Sequence, residues 1–282
     1  MENSIKVTEL LEFLSRRKFV IYGAGYVALK FYEALKIRQL DKNISCFIVS
    51  TFSGSDEKIE GLPIRGVDWL KKNKDIVVCI AVHEALMPEI IGTIQNIGVS
   101  DYFWIYPYLY ELLLGAPIKV GTAVNLNDVI QTCMDDYRLA IRYMAIDNYF
   151  GKNAIGFDMY KRAQALHSSP KTAEERLIKF CELINQWQQN GYNKNSRILI
   201  NEQYEVIDGN HRVALAKYYD QQEIVCDIFF GDFSVSKLHG ANAMLTRQAL
   251  LRGGFSVEEI ERLDEISEAI IGGEQNGSAE KK

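Results

Sequence analysis

The sequence is poor in cysteine, and none of its cysteines form a close pair. The 282-residue chain has five, an odd number, with no C-x-x-C spacing among them. This argues against a disulfide framework and against a zinc site. Three of the five stand in apolar, strand-like runs, where cysteine behaves as a small hydrophobic residue. The pattern is typical of a reducing compartment, so we expect a cytoplasmic protein.

Long apolar runs and an excess of positive charge are also missing. No stretch approaches the roughly 18 apolar residues that a membrane-spanning helix needs, so membrane insertion is not expected. The N-terminal segment has no uninterrupted apolar core of the kind found in signal peptides. The formal net charge is −5. Non-specific nucleic-acid binding depends on neutralising phosphates, and this charge argues against it, although a local basic pocket for one nucleotide remains compatible.

A glycine-rich motif near the N-terminus predicts the first domain. The segment 19–22 reads as a buried strand, and G-x-G-x-x-A follows from Gly23 to Ala28 before a helix. In this context the first glycine makes the turn and the second lets a phosphate approach the backbone. Strand-like runs at 44–49, 76–82 and 102–105 then alternate with helices, which predicts a doubly wound parallel sheet. The candidate cofactor-binding residues are Gly23, Ala24, Gly25 and Tyr26.

The second strand lacks the acidic residue that usually binds an NAD ribose. It ends in Val49-Ser50-Thr51, and no arginine follows to suit NADP either. The I-Y-G-A-G start, Phe47-Ile48 and the E-G-L-P-I segment resemble nucleotide-binding domains of bacterial surface-polysaccharide enzymes. The resemblance implies a nucleotide sugar or NAD(P) as ligand. Further contacts could come from Tyr32, Glu33 and His83, which could equally be ordinary surface or core residues.

Residues 107–156 are predicted to connect two domains. A helix from 107 to 114 ends at Ala116-Pro117, and one long helix capped by Asn125 or Asn127 is predicted to reach about Phe150. We expect it to pack between domains or in a homodimer. Four charged residues are expected on its solvated face: Asp135, Asp136, Arg138 and Arg142.

The stretch 204–216, YEVIDGNHRVALA, predicts a strand, a tight turn and a helix start. Free backbone N–H groups and the helix dipole make such a start an anion site. Arginine adds a planar fork of donors that suits phosphate. The candidate phosphate-binding residues are Gly209, Asn210, His211 and Arg212. The plain alternative is a turn or capping role for Asp208 and a solvated helix position for Arg212.

This stretch resembles the nucleotide-binding segment of the ParB/sulfiredoxin-like superfamily. The D-G-x-H-R motif is preceded by a helix from Thr172 to about Gln189, by Gly191 and by a strand at 198–200. A closing strand at 224–230 completes the match, which covers roughly 157–230. The resemblance implies a helix start that holds nucleotide phosphates. Asn210 stands where sulfiredoxins have cysteine, so thiol chemistry at that position is excluded.

The resemblance also implies roles for carboxylates and for two cations. In the serine kinases of this superfamily the proposed base is a glutamate at the start of the preceding helix, which matches Glu174 or Glu175. Asp208 would be the second carboxylate. Both glutamates could instead simply favour a helix N-terminus. Lys161 and Arg162 could reach a nucleotide or be solvated.

The main hypothesis is therefore a nucleotide-binding protein that transfers phosphate from ATP, ADP or CTP, with Mg²⁺, to a sugar or amino-acid hydroxyl in surface-polysaccharide metabolism. No protein metal site is predicted. The first alternative is a non-catalytic, nucleotide-responsive scaffold, and the second is an NAD(P)-dependent oxidoreductase that uses the N-terminal domain. The predicted organisation is a Rossmann-like domain (1–115), a helical connector (116–156), a ParB/sulfiredoxin-like α+β domain (157–232), a helical tail (233–272) and a disordered end (273–282).

Overall fold

The computed structural model describes residues 6–52, 54, 57–82, 86–134, 136–231 and 244–272. The protein is a mixed α/β chain that divides into two compact units, Met1–Ala116 and Pro117–Lys282. The sequence-based expectations for His83, for Asp135 and for the end from 273 to 282 fall outside the described residues.

The first unit is built on a six-stranded sheet in the order β3-β4-β2-β1-β5-β6. All neighbouring pairs are parallel except the pair β3 and β4, which is antiparallel. The elements are α1 (Val7–Ser15), β1 (Phe19–Tyr22), α2 (Tyr26–Ile37), β2 (Ile44–Val49), β3 (Lys58–Ile59), β4 (Leu62–Gly66), β5 (Val77–Ile80), α3 (Met87–Ile97), β6 (Tyr102–Trp104) and α4 (Leu109–Leu114). The E-G-L-P-I segment, residues 60–64, forms the turn after β3 and the first part of β4.

The central strands of this sheet are apolar because both of its faces are covered. Successive side chains of a strand point to opposite faces. Phe19 and Ile21 accordingly join the core that contains residues of α1, α2 and α4. Val20 and Tyr22 join the core on the other face, with residues of α3. Strand β1 is therefore buried at every position, which explains its unbroken apolar sequence.

The second unit is built on a four-stranded sheet in the order β7-β10-β8-β9. Strand β10 runs parallel to β8 and antiparallel to β7, while β9 is antiparallel to β8. The elements are β7 (Lys119–Asn125), α5 (Leu126–Gln131), α6 (Arg138–Tyr149), α7 (Gly156–Ala165), α8 (Pro170–Asn190), β8 (Ile198–Asn201), β9 (Val206–Asp208), α9 (Asn210–Tyr218), β10 (Glu223–Phe229), α10 (Arg247–Arg252) and α11 (Val257–Gly272).

The prediction of one long helix after Asn125 was wrong. The structure has two helices, α5 and α6, with non-helical residues between them. Asn125 does cap the first, because its side-chain oxygen accepts a hydrogen bond from the Asn127 N–H at 2.9 Å. Just before it lies an unpredicted strand, β7, which pairs with β10. Residues 117–156 therefore contribute a strand and helices to the second unit.

The expectation that the charges of this segment form a solvated face was also wrong. Asp136, Arg138 and Arg142 are buried, with relative exposures of 7%, 8% and 8%. The cause is that α6 packs against α7, α9 and α11, so most of its circumference lies in the core of the unit. A helix that is covered on several sides must bury any charge that it carries.

Candidate functional site

The bend before α9 requires glycine. Gly209 has φ of +115°, a backbone conformation that is strained for any residue with a Cβ atom. A Cβ atom here would also lie only 3.1 Å from the side chain of Ile198 on the neighbouring strand β8. Both observations explain why the turn between β9 and α9 carries glycine at this position.

The first turn of α9 has no side-chain cap. By contrast, Ser169 caps α8 and Thr246 caps α10, each accepting a hydrogen bond from a backbone N–H of its helix. The first N–H groups of any helix lack partners within the helix. In α9 the N–H groups of residues 210–212 therefore have no acceptor in the described part of the chain. This arrangement leaves donors and the positive end of the helix dipole available to an anion.

Arg212 folds back over this bend. Its Nη2 lies 3.3 Å from the position that a Cβ of Gly209 would take. The guanidinium already has partners: Nη2 donates to Asp208 Oδ2 at 3.3 Å, and Nη1 donates to Ser196 Oγ at 3.2 Å and to the Arg197 carbonyl. Asp208, the expected second carboxylate, thus forms an ion pair with the residue expected to hold phosphate.

Arg212 also lines a small cavity of about 140 Å³. Its other walls come from the C-terminal end of α8 and from the loop that follows: Leu183, Gln186, Trp187, Asn190, Gly191, Tyr192, Asn193 and Ser196. Pockets for whole drug-sized ligands measure roughly 300–1,000 Å³. The cavity is therefore large enough for a phosphate-sized group and too small to enclose a nucleotide.

His211 points to a different side of the helix start from Arg212. Its Nε2 lies 2.7 Å from the hydroxyl of Tyr160, and its ring centroid lies 4.5 Å from that of Phe180. Burial of the ring lowers the pKa of His211 well below its usual value, and the positive charges of Arg142, Arg212 and Arg176 lower it further. His211 is therefore neutral near pH 7. The two cations expected to act together on one phosphate are separated.

Asn210 has an unused acceptor at the same helix start. Its side-chain Oδ1 is buried and has no hydrogen-bond partner. A buried polar atom without a partner is costly, and such atoms are rare in native structures. The oxygen could accept a hydrogen bond from a ligand hydroxyl or amine.

Glu174 and Glu175 lie near the N-terminal end of α8, as expected, and both are exposed. Glu174 Oε2 lies 3.1 Å from Lys161 Nζ. Glu175 Oε1 lies 4.0 Å from Lys171 Nζ in an i,i+4 pair. Both carboxylates and the Lys161 ammonium thus have an opposite charge as partner, in pairs that remain open to solvent.

Arg162 has a structural role in this arrangement. Its Nε donates to Asp158 Oδ2 at 2.7 Å, and its Nη atoms donate to both carboxylate oxygens of Glu259. The guanidinium also lies over the ring of Phe255, at 4.3 Å from the centroid. These contacts tie α7 to the start of α11. The expected phosphate contact of Arg162 is therefore replaced by contacts within the protein.

Sequence reasoning missed the buried polar cluster on α6. Asp136 Oδ1 accepts from Arg138 Nε at 2.7 Å, and its Oδ2 accepts from the Leu245 N–H at 3.0 Å. Arg142 Nη1 donates to the Arg138 carbonyl at 2.6 Å. A signal was present in the sequence, because apolar residues from Leu139 to Ile146 occupy every side of the helix, a pattern typical of a buried helix.

The glycine-rich loop of the first unit follows β1, as expected. Gly23 has φ of +123°, and its N–H donates to the Ile48 carbonyl at 2.8 Å. A Cβ at this position would lie 2.7 Å from the Ala81 carbonyl oxygen on the segment after β5. Ala24 is partly buried, and Tyr26 is exposed at the start of α2.

Gly25 is the N-cap of α2, with φ of −92° and no protein atom within 4 Å of a Cβ built on it. No contact within the protein therefore requires glycine at this position. Tyr32 is a core residue packed near Phe47, and Glu33 pairs with Lys30 at 2.7 Å. The hydroxyl of Ser50, at the end of β2, lies 2.9 Å from that of Tyr22.

Within the described ranges, no three His, Cys, Asp or Glu side chains are grouped so that they could hold a metal ion. In the same part of the chain, no helix is both long and apolar enough to cross a membrane. A scan against protein-family models finds no match to the chain, and searches of curated proteins and of solved structures likewise match nothing.

Proposed function

We propose that the chain binds a phosphate group of a nucleoside di- or triphosphate at the first turn of α9 and transfers phosphate to a hydroxyl of a small molecule. The observation that carries the proposal is the uncapped helix start behind the strained Gly209, with the Arg212 guanidinium folded over it. Three backbone donors, a helix dipole and a forked cation then converge on one anion.

The order of elements supports a ParB/sulfiredoxin-like assignment for this part of the chain. Helix α8 ends at Gly191 and is followed by β8, β9, the bend, α9 and β10. This is the order that the D-G-x-H-R resemblance implies. This order supports the proposed phosphate-binding role of Gly209 and Arg212.

Phosphate binding requires the ion pair at the bend to rearrange. The Asp208 carboxylate lies 3.3 Å from Arg212 Nη2 and would repel an incoming phosphate. Because the Asp208 side chain is 41% exposed, it can turn into solvent at small cost. Asp208 is already paired and has no grouped carboxylates around it among the described residues, so it fits a protein-held Mg²⁺ poorly.

The transfer half of the proposal needs a base for the acceptor hydroxyl. Glu174 and Glu175 are proposed for this role by their position on α8, and both are reachable from solvent. A carboxylate within hydrogen-bond distance of the hydroxyl would accept its proton as the hydroxyl oxygen bonds to the terminal phosphorus. The bond from that phosphorus to the bridging oxygen breaks at the same time, and the nucleotide leaves with one phosphate fewer. The Lys161 ammonium lies 3.1 Å from the Glu174 carboxylate.

Calorimetric titration with ATP, ADP and CTP tests the binding half. Arg212→Ala should weaken the affinity by about 1.5–3 kcal/mol, or roughly 10- to 100-fold, the range for a charged hydrogen bond. Arg262→Ala is the matched control, because Arg262 is exposed on α11. An unchanged affinity in the Arg212 variant would remove the basis of the proposal.

Mass spectrometry after incubation with nucleotide, Mg²⁺ and a panel of sugars and serine tests the transfer half. Glu174→Gln and Glu175→Gln identify the base, since the variant that lacks it should bind nucleotide and lose turnover. Binding without turnover in the unmodified chain, unaffected by either substitution, would favour the nucleotide-responsive scaffold instead.

The first unit supports a second candidate function, the binding of NAD(P) or a nucleotide sugar by a Rossmann-like domain. The specific observation is that the order β4-β2-β1-β5-β6 reverses direction at β1, beside the Gly23 loop. Ligands of open α/β sheets bind at such a reversal, outside the carboxyl ends of the strands. Gly25→Val is a clean test, because a Cβ at this position has no protein atom within 4 Å. Binding of NADH or UDP-glucose that survives this substitution would contradict the assignment.

A further inference from the structure

Arg142 is a buried cation without a carboxylate partner. The relative exposure of Arg142 is 8%, and its Nε has no hydrogen-bond partner. Its one hydrogen bond in the described part of the chain runs from Nη1 to the Arg138 carbonyl at 2.6 Å. The nearby buried acid is already engaged, because Asp136 accepts hydrogen bonds from Arg138 and from the Leu245 N–H.

The surroundings of Arg142 add positive charge and hydrogen-bonding groups. Helix α6 packs directly on α7 and α9, which carry Tyr160 and His211. The pKa of His211 is lowered by burial first and then by the charges of Arg142, Arg212 and Arg176. Burial raises the pKa of Tyr160, and the charge of Arg142 lowers it.

A buried guanidinium is stable only when a nearby anion offsets the loss of its hydration. Burying an ion without a partner is strongly unfavourable, and arginine does not escape this cost by losing its proton at neutral pH. Burial lowers the pKa of Arg142, which is the direction expected for a cation without a counter-charge. Among the described residues, the carboxylate whose charge acts on Arg142 is Asp136, which is already engaged, and Arg138 adds a second positive charge.

We propose that Arg142 binds a small oxyanion, a carboxylate or a phosphate group, at the edge of the guanidinium that carries the unpaired Nε. The guanidinium offers two parallel donors to such a group, and its unused Nε is one of them. On α7, which packs on α6, the Tyr160 hydroxyl lies 2.7 Å from His211 Nε2. This site needs no nucleotide, so it stands apart from the function proposed for Arg212.

Thermal unfolding of the full chain tests the proposal. Phosphate and acetate are titrated separately at constant ionic strength, with chloride as the replacement ion. An anion that binds only the folded state raises the unfolding midpoint with the logarithm of its concentration. We expect this rise with at least one of the two anions, and the anion that acts identifies the ligand group. No rise beyond chloride with either anion would overturn the proposal.

Variants then locate the effect. Arg142→Met keeps the volume of the side chain and removes the charge, so the affinity for the anion should fall about 10- to 100-fold, and the unfolding midpoint in chloride should rise. Arg262→Met, on the exposed side of α11, should behave like the unmodified chain. An anion response retained by Arg142→Met would overturn the inference.

Arg212→Ala separates this site from the one at the bend. If the anion response disappears in Arg212→Ala and persists in Arg142→Met, the ligand belongs to the bend and the inference is wrong. If Arg142→Met does not fold, Arg142→Gln replaces it. If neither folds, a full anion response in Arg212→Ala supports the site at Arg142, and its loss contradicts it.

Discussion

The bend before α9 makes a quantitative prediction about Gly209→Ala. The substitution puts a Cβ on a residue with φ of +115°, in the left-handed region that favours glycine. It also places that atom 3.1 and 3.2 Å from two carbons of Ile198. Ile198 belongs to β8 in the middle of the second sheet, so it cannot move away freely.

The two effects add to a large loss of stability. Strained backbone of this kind costs about 1–3 kcal/mol. Overpacking against a fixed core residue costs a further 1–3 kcal/mol or so. Alanine offsets about 0.4–1 kcal/mol of this loss, because it lowers the conformational entropy of the unfolded chain. We therefore expect Gly209→Ala to reduce the free energy of unfolding by about 2–5 kcal/mol, a large part of the 5–15 kcal/mol typical of a domain.

Urea unfolding followed by tryptophan fluorescence measures this loss in the second unit. The chain has three tryptophans, and Trp187 is the one in that unit. Replacing Trp69 and Trp104 by Phe leaves Trp187, which is 6% exposed, as the reporter.

The matched control is Gly254→Ala, which has φ of +80° and open space around the new Cβ. It isolates the backbone cost, about 1–2 kcal/mol. A Gly209 variant no less stable than this control would refute the close contact with Ile198.

Three further changes test the packing and the charges of the second unit. Gly156→Ala should cost at least about 3 kcal/mol, because its Cβ would lie 1.9 Å from the Met144 carbonyl oxygen on α6. His211→Asn should reduce the slope with which the free energy of unfolding falls between pH 7 and 5, by up to about 1.4 kcal/mol per pH unit. A double-mutant cycle between Arg162 and Glu259 should give a coupling of about 1 kcal/mol, measured by urea unfolding.

The sign of the pH effect follows from the lowered pKa of His211. Below about pH 6.5 the unfolded chain binds a proton that the folded chain refuses, so stability is full above that pH and falls as the pH drops. An equal slope in the variant would show that His211 is not the group responsible. A Gly156 variant of normal stability, or a coupling near zero for Arg162 and Glu259, would contradict the corresponding contact.

Local patterns made much of the fold predictable. The strand at 19–22 was placed correctly because it is apolar at every position and is followed by glycine, and both properties act over a few residues. The strand, bend and helix around Gly209 were predictable for the same reason. Asp208 and Arg212, at i and i+4 across the bend, also lie close enough to pair, as a helix start predicts.

Properties that depend on distant partners were not predictable. Lys119–Asn125 forms strand β7 because it pairs with β10, which lies about a hundred residues further along the sequence. Arg138 and Arg142 were placed on a solvated face, because their charge outweighed the apolar residues on every side of α6. The separation of His211 from Arg212 likewise depends on Tyr160 and Phe180, which lie on other helices.

The most direct test of the central claim is a nuclear magnetic resonance titration of the ¹⁵N-labelled chain with ADP. Phosphate binding at the uncapped helix start predicts that the backbone amides of Asn210, His211 and Arg212 show the largest saturable shifts, and that Arg212→Ala weakens them. Saturable shifts confined to other parts of the chain, with these three amides unmoved, would contradict the claim.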